Sequence, residues 1–114
     1  MLSPNALTVL EKRYLRKDEQ GNLAETPLEM FARVAGTLAD IDRTYGADET
    51  EVRHTTDRFM RVLTSLSFLP NSPTLANAGT RTGQLSACFV LPVPDDLGGI
   101  FESIRDAALI HQTG

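Results

Sequence analysis

Residues 69–80 read LPNSPTLANAGT, a stretch dense in hydroxyls and side-chain amides that carries no charge before Arg81. Small polar side chains and exposed backbone amides suit phosphate groups or sugar hydroxyls. The same composition also makes an ordinary connector whose turns are set by Pro and Gly, and composition alone favours that plainer reading. Further along stands the chain's one cysteine, Cys88, between Ala87 and Phe89. A free cysteine in an apolar run is ordinarily a small buried hydrophobe. Redox work requires access and a partner thiol, and this sequence holds no second cysteine. Asp95 and Asp96 precede a helical pattern. They suit a helix cap and its positive end, or hydrogen bonds accepted from ribose hydroxyls. Gly98 and Gly99 weaken the first turn of that helix and admit close approach of another group. His54 falls on the polar face of an earlier helix, where a lone histidine is far more often solvated than bound to metal. Walker, GxGxxG and Cys/His metal spacings do not occur, so no metal site is expected.

The elements that must position these residues are constrained by composition. The chain has 114 residues, a formal charge of −4, 41% apolar residues and 23% charged ones. That is enough for one domain with a modest core and argues against disorder throughout. An acidic balance supplies no counterion-release term, so nucleic acid is not an expected partner. A single cysteine cannot form an internal disulfide. Apolar runs stay well short of the roughly 18 residues that span a bilayer. Glu11, Lys12, Arg13 and Arg16 interrupt any signal-peptide core. A soluble, cytoplasmic protein without a membrane partner is the expectation.

Three capped helices are expected over residues 1–69. Ser3 before Pro4 reads as an N-cap with proline at the first helical position, and Leu7, Leu10 and Tyr14 then share a face. Residues 17–22 are polar and turn-forming. Thr26 and Glu29 form a capping box around Pro27, followed by a stripe of Phe31, Val34, Ala35, Leu38 and Ile41, with Gly46 as the stop. Asp48 and Glu51 repeat the spacing ahead of Val52, Thr56, Phe59, Leu63 and Leu66, and Pro70 closes this third helix. A small antiparallel bundle follows from those stripes. Residues 85–93 (LSACFVLPV) read as a buried strand ended by Pro92 and Pro94. Ile100, Ile104, Ala107, Ala108 and His111 then mark a last helix. One strand cannot satisfy its own backbone groups, so the sequence reads as half of a strand–helix–strand unit.

The loop at residues 69–80, residues 84–93 (QLSACFVLPV), the Asp95-Asp96 helix, the opening at residues 2–15 and the Glu25-Thr-Pro-Leu-Glu-Met-Phe31 block together resemble the large subunit of ribonucleotide reductase. The resemblance covers essentially the whole chain and is closest to class II, the adenosylcobalamin-dependent type. It implies a mainly α chain: a helical N-terminal region over residues 1–69, then the substrate loop, first strand and first helix of an incomplete ten-stranded α/β barrel over residues 70–114. It also implies reduction of ribonucleotides to 2′-deoxyribonucleotides by radical chemistry, with diphosphates as the closer match. By resemblance, Cys88 is one of the two cysteines that reduce the substrate. Ser72 is the loop position that contacts substrate phosphate, and Ala87 with Cys88 is the second substrate-contacting stretch, Ala87 acting through its backbone. Asp95 matches an acidic position that helps bind the deoxynucleotide effector. A thioredoxin-type reductant and the remaining barrel are the implied partners.

The family's radical cysteine, the partner of Cys88, the catalytic glutamate and asparagine and the C-terminal thiols are expected beyond residue 114. So is a glycine-rich continuation after His111-Gln-Thr-Gly114. No ATP-cone is seen ahead of the first helix, and no cobalamin contact is visible in these residues. The chain alone is therefore expected to be inactive. The competing readings are a non-catalytic helical interaction module with a reductase-like tail, and a truncated relic.

Overall fold

The computed structural model of the chain describes residues 2–112. Met1, Thr113 and Gly114 lie outside the described residues. Five α-helices follow in order: α1 (Pro4–Arg13), α2 (Pro27–Asp40), α3 (Glu49–Thr64), α4 (Ser72–Asn77) and α5 (Leu97–His111). A short 3-10 helix (Ile41–Tyr45) extends α2.

The caps are those the sequence prescribes. Ser3 Oγ accepts from the Ala6 amide, and the Thr26–Glu29 and Asp48–Glu51 capping boxes are both closed in each direction. Gly46 takes the left-handed conformation, φ 95°, that ends the 3-10 helix. The end of α3 differs from expectation. The helix stops at Thr64, six residues before Pro70. Leu66 adopts φ 58°, the Leu66 amide donates to the Leu63 carbonyl, and the Ser67 amide donates to the Val62 carbonyl. This is a Schellman closure with leucine where glycine usually sits, so Leu66 leaves the helical stripe and is exposed.

α2 and α3 pack along each other as a helical hairpin. The start of α2 meets the end of α3: Met30, Phe31, Val34 and Ala35 bury against Leu63, with Leu10 and Leu15 from the α1 end. Each such fully buried aliphatic side chain contributes roughly 1.5–3 kcal/mol relative to exposure. The core does not stop with the third helix. Leu75 and Ala78 of the α4 region belong to it, with Leu85 packed against it. Residues 69–80, expected as a connector, thus contain α4, capped by the Asn71 side chain on the Thr74 amide.

One ion pair joins three segments of this core. Arg33 on α2 donates from Nε and Nη2 to the Glu25 carboxylate at 3.0 and 2.6 Å. Its Nη1 donates to the Ala78 carbonyl at 2.6 Å and its Nη2 to the Leu75 carbonyl at 3.1 Å. Glu25 also accepts from the Arg16 amide at 2.9 Å. The Arg33 and Glu25 side chains are 9% and 7% exposed, so neither charge has water to fall back on. Gly79 lies beside this junction at φ 69°, where a Cβ would sit 2.6 Å from Thr37 Oγ1.

The expected first strand over residues 85–93 is not formed. Among the described residues the β-type pairing is a single bridge between Lys17 and Leu23. Residues 86–93 form neither helix nor strand and, among the described residues, make no backbone–backbone hydrogen bond, because a ladder needs a second strand and this segment meets none. Accordingly Cys88, Phe89, Val90 and Val93 are exposed rather than buried. The helix α5 forms as expected but buries none of its residues. The radius of gyration, 17.6 Å, reflects this projecting arm; a compact chain of this length has about 13 Å.

Burial pushes the Glu25 carboxyl up, but the Arg33 hydrogen bonds, the Arg16 amide and the two guanidinium charges outweigh it and hold it below the usual glutamate range. The unfolded state therefore binds more protons in that interval. The contribution of Glu25 is complete above the usual range and is lost as pH falls through the lowered value. Arg33→Ala, which strands a buried carboxylate, should cost about 3–5 kcal/mol in urea unfolding. Glu25→Gln should flatten the acid limb of the stability–pH curve; an unchanged limb would rule out this role. Amides of residues 86–93 should exchange with solvent far faster than those of α2; equal protection would contradict the unpaired segment.

Candidate functional site

The site begins with α4. Asn71, Thr74 and Asn77 recur at intervals of three and so lie on one side of a short helix. Their side chains all reach the same downstream backbone. Asn71 Nδ2 and Thr74 Oγ1 both donate to the Leu85 carbonyl, at 3.0 and 3.2 Å, and Asn77 Nδ2 donates to the Gln84 carbonyl at 2.9 Å. The amide- and hydroxyl-rich composition that suggested ligand binding is thus used largely within the chain. It fixes the backbone leading into Ser86, Ala87 and Cys88 at a place where no neighbouring strand could.

That arrangement makes a groove. Ser72, Asn77, Ser86 and Ala87 line it on one side, and Arg13 and Tyr14 from the end of α1 line it on the other. Its volume is about 420 Å³, within the range of small-ligand clefts. Two of the expected site residues, Ser72 and Ala87, therefore share one groove although they are 15 positions apart in sequence. Tyr14 donates from its hydroxyl to Ser72 Oγ at 3.0 Å.

Cys88 follows Ala87 directly and is exposed in this structure, where the sequence predicts a small buried hydrophobe in a strand. Its side chain is not part of the groove lining. Asp95 is exposed and also apart from the groove. The helix cap belongs to Asp96, whose Oδ1 accepts from the Gly99 amide at 2.9 Å. The close approach admitted by glycine occurs at Gly99, and the approaching group is Pro94 of the same chain: a Cβ on Gly99 would lie 2.6 Å from the Pro94 ring. Ser103 Oγ then donates to the Pro92 carbonyl at 2.7 Å, tying α5 to the extended segment. His54 is exposed on α3, as expected. Among the described residues no cluster of three His, Cys, Asp or Glu side chains is placed to hold a metal ion, and no helix is long and apolar enough to cross a membrane.

Sequence reasoning did not place Tyr14 and Arg13 at this groove. Tyr14 was legible only as a member of an apolar stripe. Its hydroxyl finds Ser72 across 58 positions of sequence, a distance that no local pattern encodes.

Removing the Asn71 and Thr74 side-chain donors together (Asn71→Ala with Thr74→Val) should raise backbone mobility at residues 84–88, read as lowered amide order parameters. Exchange protection in the middle of α2 should change little. The Asn71 substitution alone also removes a helix cap worth about 1 kcal/mol, so Thr74→Val by itself is the cleaner control.

A profile of the family described as "Ribonucleotide reductase, all-alpha domain" matches residues 1–83. The vitamin B12-dependent ribonucleoside-diphosphate reductase of Mycobacterium tuberculosis is 44% identical over 113 residues, covering 99% of this chain and 16% of that protein. The enzyme of the same name from Thermoplasma acidophilum is 37% identical over 166 aligned positions, covering 99% of this chain and 22% of that protein. The ribonucleoside-diphosphate reductase subunit alpha of Helicobacter pylori is 36% identical over 108 residues, 95% of this chain and 13% of that protein. The chain thus spans less than a quarter of the length of these relatives. It belongs to the ribonucleotide reductase large-subunit family, matching the N-terminal part of vitamin B12-dependent members.

Proposed function

We propose that this chain is the N-terminal part of an adenosylcobalamin-dependent ribonucleotide reductase that converts ribonucleoside diphosphates to 2′-deoxyribonucleoside diphosphates for DNA synthesis. One observation carries the reading to the residue level. Ser72 and Ala87, the two substrate-contacting positions implied by the family, line one groove, and the accessible Cys88 is the next residue in the chain.

In this reading Ser72 and the backbone around Ala87 hold the substrate's phosphate end through neutral donors. Cys88 and a second thiol outside these residues supply the reducing equivalents. Two thiols become one disulfide, the ribose C2′–O bond breaks, a C2′–H bond forms, and the hydroxyl leaves as water. A thioredoxin-type reductant restores the thiols. Asp95, exposed beside the cap of α5, takes part in holding a deoxynucleotide effector away from the substrate groove.

Adenosylcobalamin carries its cobalt in its own corrin ring, so membership of such an enzyme asks no cluster of metal-ligating side chains of this chain. The cofactor belongs to the remaining barrel, present in cis or supplied in trans, and supplies the initiating radical there. The unpaired segment at residues 86–93 and the uncovered α5 are the parts of the barrel that these residues contribute. The 114-residue chain alone is inactive in this reading.

The test uses a reductase that carries this segment together with the rest of the barrel. Cys88→Ser should abolish deoxynucleotide formation while CDP still binds. Ser72→Ala should raise KM for CDP about tenfold, the loss of one hydrogen bond to a charged group. Turnover by Cys88→Ser at the wild-type rate with the natural reductant would sink the proposal, as would activity of the isolated 114-residue chain on CDP with adenosylcobalamin.

A further inference from the structure

We infer that Arg13 and Tyr14, at the end of α1, complete the anion-binding end of this groove and take the diphosphate of a nucleotide together with Ser72. The inference deepens the proposed function and rests on its assignment of Ser72 to the substrate phosphate.

The direction of the Tyr14 hydrogen bond is the first argument. Tyr14 donates and Ser72 Oγ accepts, at 3.0 Å. The hydrogen of the Ser72 hydroxyl is then left to donate outward, and a donor is what a phosphate oxygen needs. The bond also orients that hydroxyl and makes it a stronger donor, since hydrogen bonds in a chain polarise one another. Tyr14 is therefore a positioning residue that acts through Ser72.

Charge is the second argument. Arg33, Arg43 and Arg105 are each engaged by carboxylates. Arg13 lines the groove, and among the described residues no carboxylate or carbonyl is bonded to its guanidinium. The groove lining contains no acidic residue that would repel an anion or neutralise the arginine. In a chain of net charge −4 this is a local patch of the opposite sign. A guanidinium beside oriented hydroxyls matches a diphosphate in charge and in fork geometry.

Lys12 sets the control. It shares the last turn of α1 with Arg13, where both favour the negative end of the helix, but it does not line the groove. A helix-end role is common to the two residues; an anion-binding role belongs to Arg13 alone.

The experiment is an NMR titration of the 114-residue chain with inorganic pyrophosphate, with cytidine as the uncharged comparison. Pyrophosphate should shift the amides of Tyr14, Ser72 and Ala87. Arg13→Gln should weaken that binding about tenfold or more, the loss of a charge-assisted contact, and Lys12→Gln should not. Tyr14→Phe should weaken it less, and should have no further effect in the Ser72→Ala background, which marks action through Ser72. If Ser72→Ala weakens binding while Arg13→Gln and Tyr14→Phe do not, the inference falls and the assignment of Ser72 stands. If pyrophosphate leaves the groove resonances unmoved, the inference and the assignment of Ser72 to phosphate both fall. Equal losses from Lys12→Gln and Arg13→Gln would reduce Arg13 to a helix-end charge and overturn its role.

Discussion

The arrangement of this chain depends on one buried ion pair. Arg33 and Glu25 are nearly sealed from water, and each side-chain nitrogen of Arg33 and each carboxylate oxygen of Glu25 has a hydrogen-bond partner. Such a pair adds little net stability over well-packed hydrophobes, because desolvation offsets most of the attraction. Its value lies in placement. Three partners that are remote in sequence, the Arg16 amide and the Leu75 and Ala78 carbonyls, must each reach the same two side chains. Few alternative packings of these helices satisfy all of them. The backbone of the first loop, α2 and the far end of α4 are therefore fixed relative to one another before any ligand is considered.

Everything in the groove follows from that fixed α4. Its carbonyl end is held by Arg33, and its side chains hold the Gln84 and Leu85 carbonyls in turn. Position passes from a core helix to a short helix to the segment after it by hydrogen bonds, added to the packing of Leu75, Ala78 and Leu85 on the core. A strand inside a sheet would be positioned by its ladder; here side-chain amides and hydroxyls take that part. This explains why a stretch so rich in polar side chains leaves few of them open to a ligand.

Elements with local causes were legible in the sequence. The Ser3, Thr26 and Asp48 caps, the α2 stripe as far as Leu38 and the left-handed Gly46 were all read from residues within one or two turns of each other, whereas Ile41 falls in the 3-10 helix and is exposed. The misses share a different character. Leu66 ends α3 without the glycine that normally announces such a turn. α4 hid behind a loop-like composition, although Asn71 with Pro73 two residues on is also a cap signal. The strand expected over residues 85–93 had the right apolar content and lacked a partner to pair with. Arg33 looked like one more polar residue on a helix, because its partners lie 8, 42 and 45 positions away. Of the four site residues expected from family resemblance, Ser72 and Ala87 meet at one groove, Cys88 adjoins it, and Asp95 lies elsewhere.

The uncovered face of α5 has a consequence for the chain as a solute. Leu97, Phe101, Ile104 and Leu109 are more than half exposed, and Val90 of the preceding segment is 98% exposed. A net charge of −4 offers weak protection, since at physiological salt charges are screened beyond about 8 Å. The unpaired backbone at residues 86–93 adds a template for edge-to-edge pairing between molecules. An apolar face of this kind makes self-association a matter of concentration: the colloidal behaviour of the free chain is set by how soon another molecule arrives there.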